Sequence, residues 1–133
     1  MYVIAVALGA VGTAAAAASL TVEGRFERLT DAESMEMLGG AVCFYPSEQS
    51  SKLLPRPASD LRLPWFCFTN TRQAMRLLAV PPSASKGIAC GHRGNATLRV
   101  ADYVVYRLEG SGFDTARLLA VHRKSAVEPI PCD

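Results

Sequence analysis

The chain holds two histidines, His92 and His122, and four cysteines. Cys90-Gly91-His92 sets a thiol beside an imidazole, the pairing a cysteine nucleophile and its base would use. No third group is at hand to orient the ring, and an even number of cysteines behind an export signal reads as disulfides. Alternatively, His92 or His122 could work with Asp102 or Asp114 as the acid–base pair of a small exported hydrolase. The spacing of the histidines matches no zinc signature. Gly110-Ser111-Gly112 is turn chemistry and lacks the flanks of a G-x-S-x-G nucleophile elbow. Glu33 and Glu36 pair two carboxyls, as glycosidases do, but on the solvent face of a short helix. No catalytic set, metal site or cofactor is expected, and the hydrolase stands as the alternative to a non-enzymatic role.

Binding residues are easier to nominate. Trp65-Phe66-Cys67-Phe68 is the densest aromatic stretch. Strand alternation puts Phe66 and Phe68 in a core and leaves Trp65, just after Pro64, partly exposed as a stacking surface for a sugar or a base. Arg99, Tyr103 and Arg107, at i, i+4 and i+8 of one strand, share a face opposite Leu98, Val100 and Val104. Two guanidinium forks flanking an aromatic suit a carboxylate- or phosphate-bearing partner. On this reading Asp102 is the one charge on the core side, and Arg117 or Arg123 of the returning strand is its nearest partner.

These residues need a scaffold, and the cysteines supply its staples. Cys43, Cys67, Cys90 and Cys132 include no C-x-x-C pair, which disfavours zinc. Of the three pairings, Cys43–Cys67 and Cys90–Cys132 is preferred. The first two sit in matching contexts, Val42-Cys43-Phe44 and Phe66-Cys67-Phe68, and the last two lie in a Gly-rich segment and the tail. Residues 1–18 read as a signal peptide: an apolar stretch from Val3 to Val11, then small residues ending in Ala16-Ala17-Ala18, with no charge before Glu23. An uncleaved leader would instead anchor the chain in a membrane. Residues 19–133 then form one disulfide-stapled domain, periplasmic or extracellular. The 14 basic and 12 acidic residues give a net charge of +2, too little for a polybasic nucleic-acid binder. Arginine outnumbers lysine and alanine is abundant, a composition that fits a bacterial, GC-rich source.

Alternation over Leu20–Phe26 predicts a strand. Thr30-Asp31-Ala32-Glu33 predicts a capping box opening a helix over 31–38 that Gly39-Gly40 ends. Two strand–helix units follow, at 41–54 and 65–80, each with a central cysteine. Ser47 and Asn70 are their helix N-caps, and Pro55, Pro57 and Pro64 bound an extended loop between them. Residues 83–95 read as a loop, 97–108 as the longest strand and 115–122 as its return, with an extended tail. The sum is a mixed, β-rich α+β domain. Its strand count suits a small, partly closed five-stranded barrel of the oligonucleotide/oligosaccharide-binding type with short helices, the alternative being an open α+β sheet. The expected function is a non-enzymatic exported binding module acting on a protein or an envelope polymer, as inhibitors, immunity proteins and envelope accessory proteins do.

Overall fold

The structure, a computed structural model, describes residues 18–82, 89–107 and 112–133. The leader up to residue 17, the first part of the 83–95 segment (83–88) and residues 108–111, which include most of the expected turn, lie outside the described residues. The elements run β1 (Leu20–Leu29), α1 (Ala32–Leu38), β2 (Cys43–Pro46), α2 (Glu48–Ser51), β3 (Phe66–Phe68), α3 (Thr71–Leu78), β4 (Ala89–Val104), β5 (Asp114–Lys124) and β6 (Glu128–Pro131).

The strands form one mixed six-stranded sheet in the order β1-β2-β3-β5-β4-β6, and β1 also pairs with β4, so five strands close into a ring. All pairings are antiparallel except that of β3 with β5. Alternation explains the interior. Val22 and Phe26 of β1, Phe44 of β2, Phe66 and Phe68 of β3, Leu98 and Val100 of β4, and Ala116 and Leu118 of β5 all point into one core. α3 adds Ala74 and Leu78. Each fully buried Phe or Leu contributes roughly 1.5–3 kcal/mol by leaving water. Glycine permits the closest strand contact: a Cβ at Gly24 would lie 2.2 Å from the Tyr45 carbonyl oxygen of β2.

Both disulfides have the pairing preferred from sequence, Cys43–Cys67 and Cys90–Cys132. Cys43 and Cys67 are directly opposed on β2 and β3. The Phe68 amide donates to the Val42 carbonyl one step along, so the cysteines occupy a non-hydrogen-bonded position, where opposed Cα atoms come closest. Cys90–Cys132 ties the tail to β4, and β6 pairs there with its prolines on the sheet edge, where a missing N–H is tolerated. Two disulfides fit an oxidising, non-cytoplasmic environment. Among the described residues no helix is long and apolar enough to cross a membrane.

Several local expectations need correction. The N-cap of α1 is Asp31, whose carboxylate accepts from the Ser34 amide, and not Thr30. Ser47 caps α2 as expected, but that helix stops at Ser51 instead of Leu54. Asn70 stands at the N-cap of α3 without capping it. Its side chain instead donates to the Leu118 carbonyl and accepts from the Leu118 amide, continuing the β3–β5 pairing where β3 ends. β4 starts at Ala89, inside the segment read as a loop. Gly91 is a strand glycine there, with φ of +152° and no room for a Cβ against the Arg28 carbonyl. Glycine in a strand marks close backbone approach as readily as a loop.

The largest correction concerns the two faces of β4. Its register against β5 shifts between Arg99 and Val100 and again between Ala101 and Val104, and Asp102 takes a left-handed φ of +55°. A bulge inserts a residue and re-aims the side chains beyond it. Tyr103 therefore turns inward, its ring edge-on to Phe66 at 5.4 Å, while Val104 turns out to solvent. Asp102 is exposed instead of core-facing, and pairs with Arg117 at 2.9 Å.

Candidate functional site

Row by row, strand registry brings together residues far apart in sequence. Arg25 of β1 opposes Tyr45 of β2. Phe44 opposes Phe66, and Phe66 lies beside Asp114, so Trp65 and Phe113, one residue earlier, fall next to Tyr45 on the outward side. The rings stack in sequence. Tyr45 and Trp65 have centroids 5.8 Å apart at 14°, and Trp65 and Phe113 are 5.6 Å apart at 30°. The Arg25 guanidinium carbon lies 5.0 Å from the Tyr45 centroid, within cation–π range. All three rings are half-buried, so the row is a ledge with one side in water. Burial, reinforced by the neighbouring carboxylate of Glu27, pushes the Tyr45 phenol up to about 12. It stays a neutral hydrogen-bonding group at any physiological pH.

A groove of about 670 Å³ adjoins the ledge at its Arg25–Tyr45 end, floored by β1 and β4 and walled by the end of β5. Arg25, Arg123 and Lys124 line it against one carboxylate, Glu23, with Ser47, Asn95, Thr97 and Ser125 as neutral polar groups. A smaller hollow shares Arg25, Asn95 and Ser125 and adds Arg93, Gly94 and Glu128. The excess of positive charge, in guanidinium forks that match carboxylate and phosphate oxygens, gives the groove a preference for anionic groups. The ledge offers apolar ring surface beside it. Together they can hold a ligand that carries both a ring and an acidic substituent.

Of the residues nominated from sequence, only Trp65 belongs to this face. Arg99 is exposed on β4, and Arg107 is exposed beyond the end of that strand. Tyr103 between them is turned away: its hydroxyl donates to Asp114 at 2.5 Å. Burial and that carboxylate hold the Tyr103 phenol far above its ordinary value. The three do not form one strip. The residues proposed for acid–base work are also apart. Asp114, 2 % exposed, accepts from the Tyr103 hydroxyl and the Tyr106 amide and lies 3.2 Å from Arg56 Nε, an ion pair without hydrogen-bond alignment. Asp102 is occupied by Arg117. His92 is buried on β4, opposite Arg28 and Pro129, and His122 is exposed at a β5 bulge. Among the described residues neither histidine hydrogen-bonds either aspartate. Cys90 is in a disulfide, which removes the thiol from Cys90-Gly91-His92. Among the described residues no cluster of three His, Cys, Asp or Glu side chains is placed to hold a metal ion.

The sequence does not single out Arg25, Tyr45 or Phe113, and it marks Arg123 only as a possible partner of Asp102. Arg25 and Tyr45 each sit in the outward phase of a strand, a signal shared with every solvent-facing residue. Only registry across β1, β2, β3 and β5 makes them neighbours. No family model, no curated protein and no solved structure matches the chain.

Proposed function

We propose that this chain is an exported, non-enzymatic binding module, periplasmic or extracellular, that holds an anionic envelope polymer against the ledge and its groove. The observation that carries the reading is the outward row Arg25–Tyr45–Trp65–Phe113 beside a cavity lined by Arg25, Arg123 and Lys124. Sugar rings pack on aromatic surface, and acidic substituents are recognised bidentately by arginine. The low net charge of +2 disfavours a nucleic acid as the natural ligand.

We further read the ring of strands as a partly closed barrel of the oligonucleotide/oligosaccharide-binding type. Support comes from the closure of β1 on β4, the parallel contact of β3 with β5, and a helix between β3 and β4. Barrels of that type bind through the face of their second and third strands, which here carries Tyr45 and Trp65. Fold analogy alone gives no function; the side chains on that face are what support one.

Trp65 is the only tryptophan in the chain, so its fluorescence reports directly on the ledge. Titration with soluble peptidoglycan fragments and with acidic polysaccharides is expected to give a saturable change with at least one of them. Arg25→Ala combined with Arg123→Ala should weaken that binding by about tenfold or more, and Arg99→Ala with Arg107→Ala should leave it unchanged. Absence of a saturable signal from every anionic polymer, or equal loss in both double variants, would remove this reading.

A further inference from the structure

The loop between α2 and β3 is not used by the ledge or the groove. It runs from Pro55 to Pro64 and presents two leucines almost entirely to water, Leu61 at 92 % and Leu63 at 85 % exposure. A single exposed leucine needs no explanation. Here the residues on either side of Leu61 do. Asp60 and Arg62 both turn back towards the body of the protein and hold each other. The Asp60 carboxylate accepts from the Arg62 amide at 3.1 Å, from Arg62 Nε at 2.9 Å and from Arg62 NH2 at 2.6 Å. Arg56 fills the space beneath the loop. Its guanidinium donates to the Arg62 carbonyl at 2.9 Å and to Asp60 at 3.1 Å, and its Nε lies against buried Asp114. Arg62 also donates to the Tyr106 carbonyl at the end of β4, and the Asp60 amide donates to the Pro57 carbonyl.

The loop is thus a convex segment braced from inside on both sides of one peptide bond, Leu61–Arg62. Among the described residues neither Leu61 nor Leu63 makes a backbone hydrogen bond, so their N–H groups can donate to, and their carbonyls accept from, the backbone of a docking strand. The segment turns at residues 58–59 and bends at Arg62, so Leu61 stands out on a braced loop with little conformational freedom to lose on docking.

From this geometry we infer that residues 55–64 dock substrate-like in the cleft of a serine endopeptidase with an apolar primary pocket, Leu61 filling that pocket, and that the chain inhibits such an enzyme. The bracing is what separates an inhibitor from a substrate. In the acylation step the Leu61 carbonyl carbon forms a bond to the protease serine oxygen, its bond to the Arg62 nitrogen breaks, and the serine proton passes to that nitrogen as the leaving amine. Hydrolysis proceeds only when the amine moves away and water takes its place. Arg62 is held by Asp60, Arg56 and the Tyr106 carbonyl, so the amine stays beside the ester and re-forms the peptide bond. Disulfides of the kind seen here belong to the compartments where proteins meet such proteases.

The test uses the purified, disulfide-bonded chain against chymotrypsin, elastase and subtilisin, with trypsin as the cation-selective control. Competitive inhibition of at least one of the first three, and none of trypsin, is expected. Leu61→Gly should weaken it by about 100-fold or more, as removal of a central anchor does, and Leu61→Arg should transfer inhibition to trypsin. Asp60→Ala should turn the loop into a substrate, cut at Leu61–Arg62 about tenfold faster or more once the bracing is lost. Trp65 fluorescence and far-UV circular dichroism check that each variant is folded. Arg25→Ala with Arg123→Ala should inhibit like the parent, which separates this inference from the polymer-binding reading. No inhibition of any of the three proteases by the folded chain would overturn the inference. Inhibition that survives Leu61→Gly would overturn it too.

Discussion

Replacing Asp114 by alanine removes the acceptor on which one end of the ring depends. The carboxylate is 2 % exposed and takes the Tyr103 hydroxyl, the Tyr106 amide and the charge of Arg56. Breaking a buried ion pair from one side costs about 3–5 kcal/mol, because the partner charge is left uncompensated. The Tyr103 hydroxyl and Tyr106 amide also lose an acceptor, at roughly 1–3 kcal/mol each if nothing replaces it. These losses share one site and do not add, and Arg56 keeps Asp60 and the Arg62 carbonyl as partners. The expected total is therefore about 3–5 kcal/mol. For a domain of this size about 4 °C of Tm goes with each kcal/mol, so Tm should fall by roughly 12–20 °C. Thermal unfolding followed by far-UV circular dichroism and by Trp65 fluorescence measures it. Asp102→Asn is the control, since asparagine tolerates the left-handed backbone at that position and the change removes only the charge of an exposed pair with Arg117, which should cost about 1 kcal/mol or less. An Asp114→Ala variant within about 1 kcal/mol of the parent would refute the assignment of Asp114 as the buried hub.

Three other outcomes are expected. Reducing one staple, by Cys43→Ser with Cys67→Ser, should cost about 2–4 kcal/mol in urea unfolding, and an unchanged midpoint would mean that the bridge does not constrain the unfolded chain. The Tyr45 phenol is pushed up to about 12 in the fold, whereas an unfolded phenol ionises near ~10. The unfolded state then loses its proton first, so this contribution is complete below the unfolded value and is lost as pH rises through the folded one. Difference ultraviolet titration of the parent against Tyr45→Phe should show no Tyr45 ionisation at pH about 10, and ionisation there would contradict it. Mass spectrometry of protein recovered from the native host should find Ser19, or a residue within a few positions of it, at the N-terminus; intact Met1 on membrane-embedded protein would show an anchor instead.

What the sequence made legible was local. Alternation located most strands, matching flanks paired Cys43 with Cys67, and Ser47 announced its own helix. What it hid depends on registry. Asp102 adopts a left-handed backbone between two register shifts, so periodicity counted through it assigned Tyr103 to the wrong face. Gly91 resembled loop chemistry because glycine serves close strand packing and loops alike. Thr30 and Asp31 are both competent caps, and which one acts is fixed by where the helix starts against the sheet. The ledge joins β1, β2, β3 and β5, so no window of sequence contains it. Trp65 alone was nominated, because an aromatic after Pro64 at a strand start has limited room to be buried. The hairpin of β4 and β5 narrows the partner of Asp102 to Arg117 or Arg123 by sequence distance, and only the register selects Arg117.

The central claim is that ligand sits on the ledge and in its groove. Amide chemical-shift mapping of the isotope-labelled chain during titration with the polymer that quenches or enhances Trp65 tests it most directly. The largest shifts are expected on Gly24, Arg25, Tyr45, Trp65, Asn95 and Phe113, together with the Trp65 indole N–H. Shifts concentrated instead on α3, on β6 or around Arg99 and Arg107, with Arg25 and Tyr45 unmoved, would contradict it.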